Sequence, residues 1–206
     1  MSTSSHVTIA LLLALLLMGC RLVLIGDSHT AGACTDNPCE SFPEMLEDSL
    51  APWYYDVTAI GVPGSPMVYW GFGDDLYIQN EVAATVSGAT VQVLLGSTDS
   101  HFGYPAVSLV NATSILIDKL YADGATRAVL VPPPPSPYSL PERQELLRQY
   151  RMAVLNLCAE RADVECAPDP WDFLGADDFG PGDAHMNQQG HDLMADALTS
   201  FYVGAN

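Results

Sequence analysis

Four short apolar runs punctuate the chain, and each ends on glycine or proline: "RLVLIG" (21–26), "YDVTAIG" (55–61), "TVQVLLG" (90–96) and "RAVLVPP" (127–133). Runs this short, rich in Val, Ile and Leu and closed by chain-breaking residues, read as buried β-strands. "DVECA" (163–167) reads as a short fifth. Between them apolar residues recur every three or four positions. "SFPEMLEDSLA" (41–51) reads as a helix with Pro43 in its first turn and acidic residues after it. In 106–124, Leu109, Thr113, Leu116 and Leu120 share one helical face and Gly124 ends it. In 141–160, Leu146, Tyr150, Val154 and Leu157 do the same, and a closing helix over 187–202 buries Met194, Ala197, Leu198 and Phe201. Strand alternating with helix over the whole chain implies an α/β fold, a parallel sheet covered on both faces. The chain has 206 residues, no internal repeat and no long linker, so 21–206 reads as a single domain.

Open sheets of this kind bind ligands outside the carboxyl ends of their strands. The turns there are "GDSHTAG", "GVPGSP", "GSTDSHFG" and "PPPPSP". Ser28, at the end of the first run, reads either as a helix N-cap or as a nucleophile presented to the crevice. Near the other terminus "GDAHMNQQGH" holds Asp183 and His185 in a glycine-rich bend before the last helix. A serine nucleophile needs a base, and the base needs an acceptor that fixes its tautomer. Asp183 and His185 suit those roles, although a solvated acidic loop would look the same.

The order of these elements resembles the SGNH, or GDSL, hydrolases: "GDS" after the first strand, glycine turns after the second and third, "DxH" before the final helix. The resemblance covers Arg21 to Tyr202. It implies a three-layer α/β/α sandwich around a five-stranded parallel, flavodoxin-like sheet, and a serine esterase mechanism needing no cofactor and no metal. By position, Ser28 matches the nucleophile, His185 the base, and Gly64 in "GVPGS" a backbone oxyanion donor alongside the N–H of Ser28. The sequence departs twice from the family pattern. Thr98 in "GSTD" stands where an oxyanion asparagine is usual, and a threonine hydroxyl reaches one atom less far. The acid usually lies three residues before the histidine, where this chain has Gly182. Asp183 is taken as the orienting acid, with Asp178 as the substitute.

The expected activity is hydrolysis of a short-chain acyl ester, such as an O-acetyl group on a carbohydrate. A glycan-binding protein without turnover and an O-acyltransferase are the alternatives. His29 is placed at the rim of the site, His101 near it in a loop as a substrate contact or a surface residue, and His191 in the last helix without a catalytic role. The aromatic-rich segment 53–77 reads either as core or as a stacking surface for substrate.

A net charge of −18 with Lys119 as the only lysine argues against nucleic acid as a partner. Ile9 to Met18 is an unbroken apolar run, too short to span a bilayer but fitting an export signal. No lysine or arginine precedes it. It ends in "LMGC", which resembles the lipobox of bacterial lipoproteins, so residues 1–20 read as a signal with Cys20 as a possible lipid anchor to the membrane. Plain secretion is the other reading, and either is extracytoplasmic. Of five cysteines, bridges Cys34–Cys39 and Cys158–Cys166 would leave Cys20 over. Five free thiols would be the alternative.

Overall fold

The computed structural model describes residues 21–53 and 56–204; the signal segment and Cys20 lie outside the described residues. Five strands form one parallel sheet: β1 (Arg21–Gly26), β2 (Asp56–Gly61), β3 (Thr90–Leu94), β4 (Arg127–Val131) and β5 (Val164–Cys166), in the order β2-β1-β3-β4-β5. The strand order reverses between β1 and β3, which opens a crevice at their carboxyl ends. There Gly26 pairs with both Gly61 and Leu94. An added Cβ at Gly61 would lie 2.1 Å from Ala31 N, so only glycine lets the turn after β1 pack over β2.

Side chains along each inner strand alternate between two cores, as the period of two requires. Leu22 and Leu24 of β1 and Val129 of β4 face one side, with α1 (Phe42–Leu50) and the C-terminal helix (Gln188–Gly204). Val23, Ile25, Val91 and Val93 face the other, against the remaining helices. Those are three short helices, α2 (Met67–Gly71), α3 (Asp75–Gln79) and α4 (Val82–Val86), then α5 (Ser97–Phe102) and the long α6 (Ala106–Ala122) and α7 (Pro141–Glu160); the C-terminal helix is α8. This is the expected three-layer α/β/α arrangement.

Several local expectations shift. α2 to α5 were not legible as helices, because five or six residues are too few to show a period. On α7 the fully buried leucine is Leu147, with Leu146 only half-buried. On α8 Ala195 and Tyr202 are buried, while Ala197 and Phe201 are half-buried. Tyr202 turns inward, and its hydroxyl donates to Gln92 Oε1 at 2.8 Å inside the sheet layer. Disulfides join Cys34 to Cys39 and Cys158 to Cys166.

Candidate active site

The turn after β1 coils at once: Ala31 N donates to Asp27 O at 3.0 Å and Ala33 N to Ser28 O at 2.9 Å. This leaves the Ser28 side chain at the crevice. The segment carrying His185 is a small hairpin. Phe179 and Met186 bridge at its base, Asp183 N donates to Gly180 O at 2.9 Å, and Gly182 takes the left-handed turn position at φ 77°. Thr35 N donates to Met186 O at 3.1 Å, tying the hairpin to the loop after β1.

The structure brings three of the sequence candidates into line. His185 Nε2 lies 3.0 Å from Ser28 Oγ, and His185 Nδ1 lies 2.8 Å from Asp183 Oδ1. The same carboxylate oxygen accepts the His185 backbone N–H at 3.0 Å. That N–H, together with the adjacent ring, holds the Asp183 carboxyl below the usual carboxylate range. With Nδ1–H donated to Asp183, Nε2 is free to take a proton from the serine. Asp178 is not brought in. It is buried, and its Oδ2 accepts the Gly175 N–H at 2.7 Å.

Around this line lies a cleft of about 430 Å³ whose walls include Gly64, Thr98, His101 and Phe102. Gly64 has φ 75° with open space where a Cβ would sit. Among the described residues no protein acceptor takes the N–H of Ser28 or of Gly64, so both remain available to an oxyanion. The Thr98 hydroxyl lies 3.5 Å from Asp27 Oδ2, at the limit of a hydrogen bond. His101 belongs to α5 rather than to a loop, and it is exposed at the cleft.

His29 lines the cleft, but from its buried floor rather than its rim, and is 2 % exposed. Its Nδ1 faces Asp27 Oδ1 at 3.2 Å, its Nε2 faces Ala184 O at 3.3 Å, and its ring centre is 5.6 Å from that of His185. Asp27 Oδ1 also accepts the His29 backbone N–H at 3.1 Å. Both ring nitrogens therefore face oxygen atoms. His191, in the first turn of α8, has the opposite pattern. Its Nδ1 accepts the Phe42 N–H at 3.1 Å and its Nε2 donates to Ala33 O at 3.2 Å, which defines a neutral ring. Burial lowers its pKa in keeping with that.

Sequence reasoning missed Asp99, the residue after Thr98. It is fully buried and accepts the N–H groups of Met67 at 2.7 Å and Val68 at 3.4 Å, fixing the start of α2 just beyond the Gly64 turn. Burial pushes its pKa up to about 6, against the opposing pull of those N–H groups. The aromatic segment is divided. Trp70 is fully buried and donates to Ser65 Oγ at 3.0 Å, whereas Tyr69 and Phe72 are exposed along a groove of about 640 Å³ next to Tyr104.

Among solved structures, the chain is similar to a lipolytic G-D-S-L family protein from Veillonella parvula (18% identity over 90% of this chain and 98% of that one, TM-score 0.72). It is also similar to a lipase/acylhydrolase from Enterococcus faecalis (18% identity, 90% and 96% covered, TM-score 0.71). A third similar structure is an acetylxylan esterase from Geobacillus stearothermophilus, in a catalytic mutant (14% identity, 87% and 92% covered, TM-score 0.69). These likenesses are of fold. No curated protein sequence matches the chain. The family model of the GDSL-like lipase/acylhydrolases matches residues 24–193, from within β1 to within α8. The chain belongs to the GDSL-like lipase/acylhydrolase family.

Proposed function

We propose that this member of the family is an exported serine esterase that removes a short acyl group, such as acetate, from a carbohydrate ester. The observation that carries the reading is the continuous line from Ser28 Oγ through His185 to Asp183, at 3.0 and 2.8 Å. Ser28 Oγ attacks the ester carbonyl carbon as its proton passes to His185 Nε2. The carbonyl oxygen takes the negative charge and is held by the N–H groups of Ser28 and Gly64, with Thr98 at the edge. His185 then gives its proton to the departing alcohol, leaving the acyl group on Ser28. Water repeats the sequence, frees the carboxylic acid and restores the serine. Asp183 keeps the imidazole oriented and stabilises its positive charge.

The fold likeness to an acetylxylan esterase supports a carbohydrate ester as substrate. The two disulfides support an oxidising compartment outside the cytoplasm, as does the apolar N-terminal run. The test is turnover of p-nitrophenyl acetate and of acetylated xylooligosaccharides by the protein and by Ser28→Ala. The reading requires the variant to lose at least about 10³-fold in kcat. Equal turnover by both would remove Ser28 from the mechanism.

A further inference from the structure

The chain carries seven basic side chains against twenty-five acidic ones. Six of the seven lie within 3.7 Å of a carboxylate, from Arg127–Glu165 at 2.5 Å to Arg21–Asp56 at 3.7 Å. Arg143 is the exception: among the described residues no carboxylate pairs with it. It is half-buried at the third position of α7, where the helix dipole disfavours a cation. A local rule is broken here with no structural gain in return, the pattern expected where a residue serves a ligand.

Arg143 lines a small pocket of about 60 Å³ together with Ser136 and Ser139, whose hydroxyls bond each other. That pocket shares Ser97, His101 and Ala184 with the cleft over Ser28, so the two are contiguous. Among the described residues no aspartate or glutamate lines either one, in a chain with a net charge of −18. The contrast is sharp at the depression beside α1 and α8, whose walls include Glu40, Asp48, Asp192 and Asp196. The molecule thus keeps carboxylates out of this one connected space and leaves a forked guanidinium in it.

We propose that Arg143 is the anchor of an anion subsite that receives a carboxylate borne by the substrate, a few bonds from the ester under attack. The proposal rests on the esterase reading above for its biological use, but not for its binding test. A carboxylate fits the volume and the planar two-pronged donor set of arginine, with serine hydroxyls beside it. The same carboxylate would relieve the cation at the helix N-terminus. It belongs either to the acyl part, as in a hemisuccinate, or to the alcohol part, as in an acetylated uronic acid.

The first test is equilibrium binding of succinate to the whole protein, to Arg143→Gln, to Arg143→Lys and to Ser28→Ala, with circular dichroism to verify folding. The expected result is saturable binding that weakens about 10- to 100-fold in Arg143→Gln, weakens less in Arg143→Lys and persists in Ser28→Ala. No binding to the wild type, or equal binding to the wild type and Arg143→Gln, overturns the subsite whatever the turnover shows. The second test locates the anion. In wild type and Arg143→Gln, kcat/KM is compared for p-nitrophenyl hemisuccinate against p-nitrophenyl butyrate, and for acetylated glucuronoside against acetylated xyloside. The charged-to-neutral ratio should fall about 10- to 100-fold in one of the two pairs. Ratios unchanged in both pairs overturn the subsite. Failure of the esterase reading would instead appear as wild-type turnover equal to that of Ser28→Ala, with succinate binding intact.

Discussion

Two Asp-x-His turns meet at this site, and locally they are almost the same object. In Asp27-Ser28-His29 and in Asp183-Ala184-His185 one carboxylate oxygen accepts both the backbone N–H and the Nδ1 of the histidine two residues on. Each histidine then reaches with Nε2 to the middle residue of the other turn: His185 to Ser28 Oγ, His29 to Ala184 O. They differ in solvent and in partner. The Asp27–His29 pair is 1 % and 2 % exposed, and its Nε2 meets a carbonyl, which can only accept. The Asp183–His185 pair is 48 % and 35 % exposed, and its Nε2 meets a hydroxyl that can give up a proton. One motif thus yields a strut in one place and a proton carrier in the other. The chemistry lies in what the second ring nitrogen faces.

The comparison breaks most visibly at His185. Replacing it with Ala should reduce kcat on p-nitrophenyl acetate by roughly 10⁴-fold or more. The melting temperature should change by no more than about 2 °C, since the ring is partly exposed and supports no backbone group outside its own loop. A large loss of melting temperature instead would show that the outer turn is structural too.

His29→Leu should show the reverse balance. It leaves the buried Asp27 carboxylate without its partner ring and frees Ala184 O, a change that costs roughly 3–5 kcal/mol. The melting temperature should fall by about 10 °C or more, with kcat lowered less than in His185→Ala because the 183–185 loop loses its brace. If His29→Leu melts like the wild type, the clasp between the two turns carries no weight.

The smallest effect concerns the third buried carboxylate, Asp99. Its pKa of about 6 in the fold exceeds the ordinary value near 3.9. Between those values the folded chain holds a proton that the unfolded chain has released, so this group makes the protein more stable as pH falls from about 6 to about 4. Above pH 6 the cost levels off at about 3 kcal/mol. Asp183 acts in the opposite sense, because its depressed pKa contributes stability that is lost only as pH falls through the carboxylate range. Asp99→Asn should therefore flatten the stability curve between pH 4 and 6, read as melting temperature in steps of half a pH value. An unchanged slope would assign that titration to another group.

Much of this was legible in the chain. The strands announced themselves because a parallel sheet buried on both faces needs continuous apolar runs, and "RLVLIG" to "DVECA" supply them. Ser28, Asp183 and His185 stood out because glycines on either side permit their turns. Less was legible where partners come from afar. His29 read as a rim residue because nothing in "GDSHT" reveals that Ala184, 155 positions away, closes over it. Asp99 passed unnoticed because its partners, Met67 and Val68, lie in a helix too short to show a period. On α8 Met194 and Leu198 face inward as expected, but Ala195 and Tyr202 take the places read for Ala197 and Phe201, and the Tyr202 hydroxyl finds Gln92, a partner 110 positions away.

By itself, then, the sequence determined the class of fold, the order of its strands and long helices along the chain, and the residue types able to carry acyl chemistry. Those follow from local rules: apolar period, chain-breaking residues and the reach of a side chain two positions along. The tertiary structure decided which histidine is buried between acceptors, which carboxylate partners which ring, and which single arginine is left unpaired beside the cleft. Burial and the second hydrogen-bonding partner set those outcomes, and both depend on segments that meet only when the sheet closes.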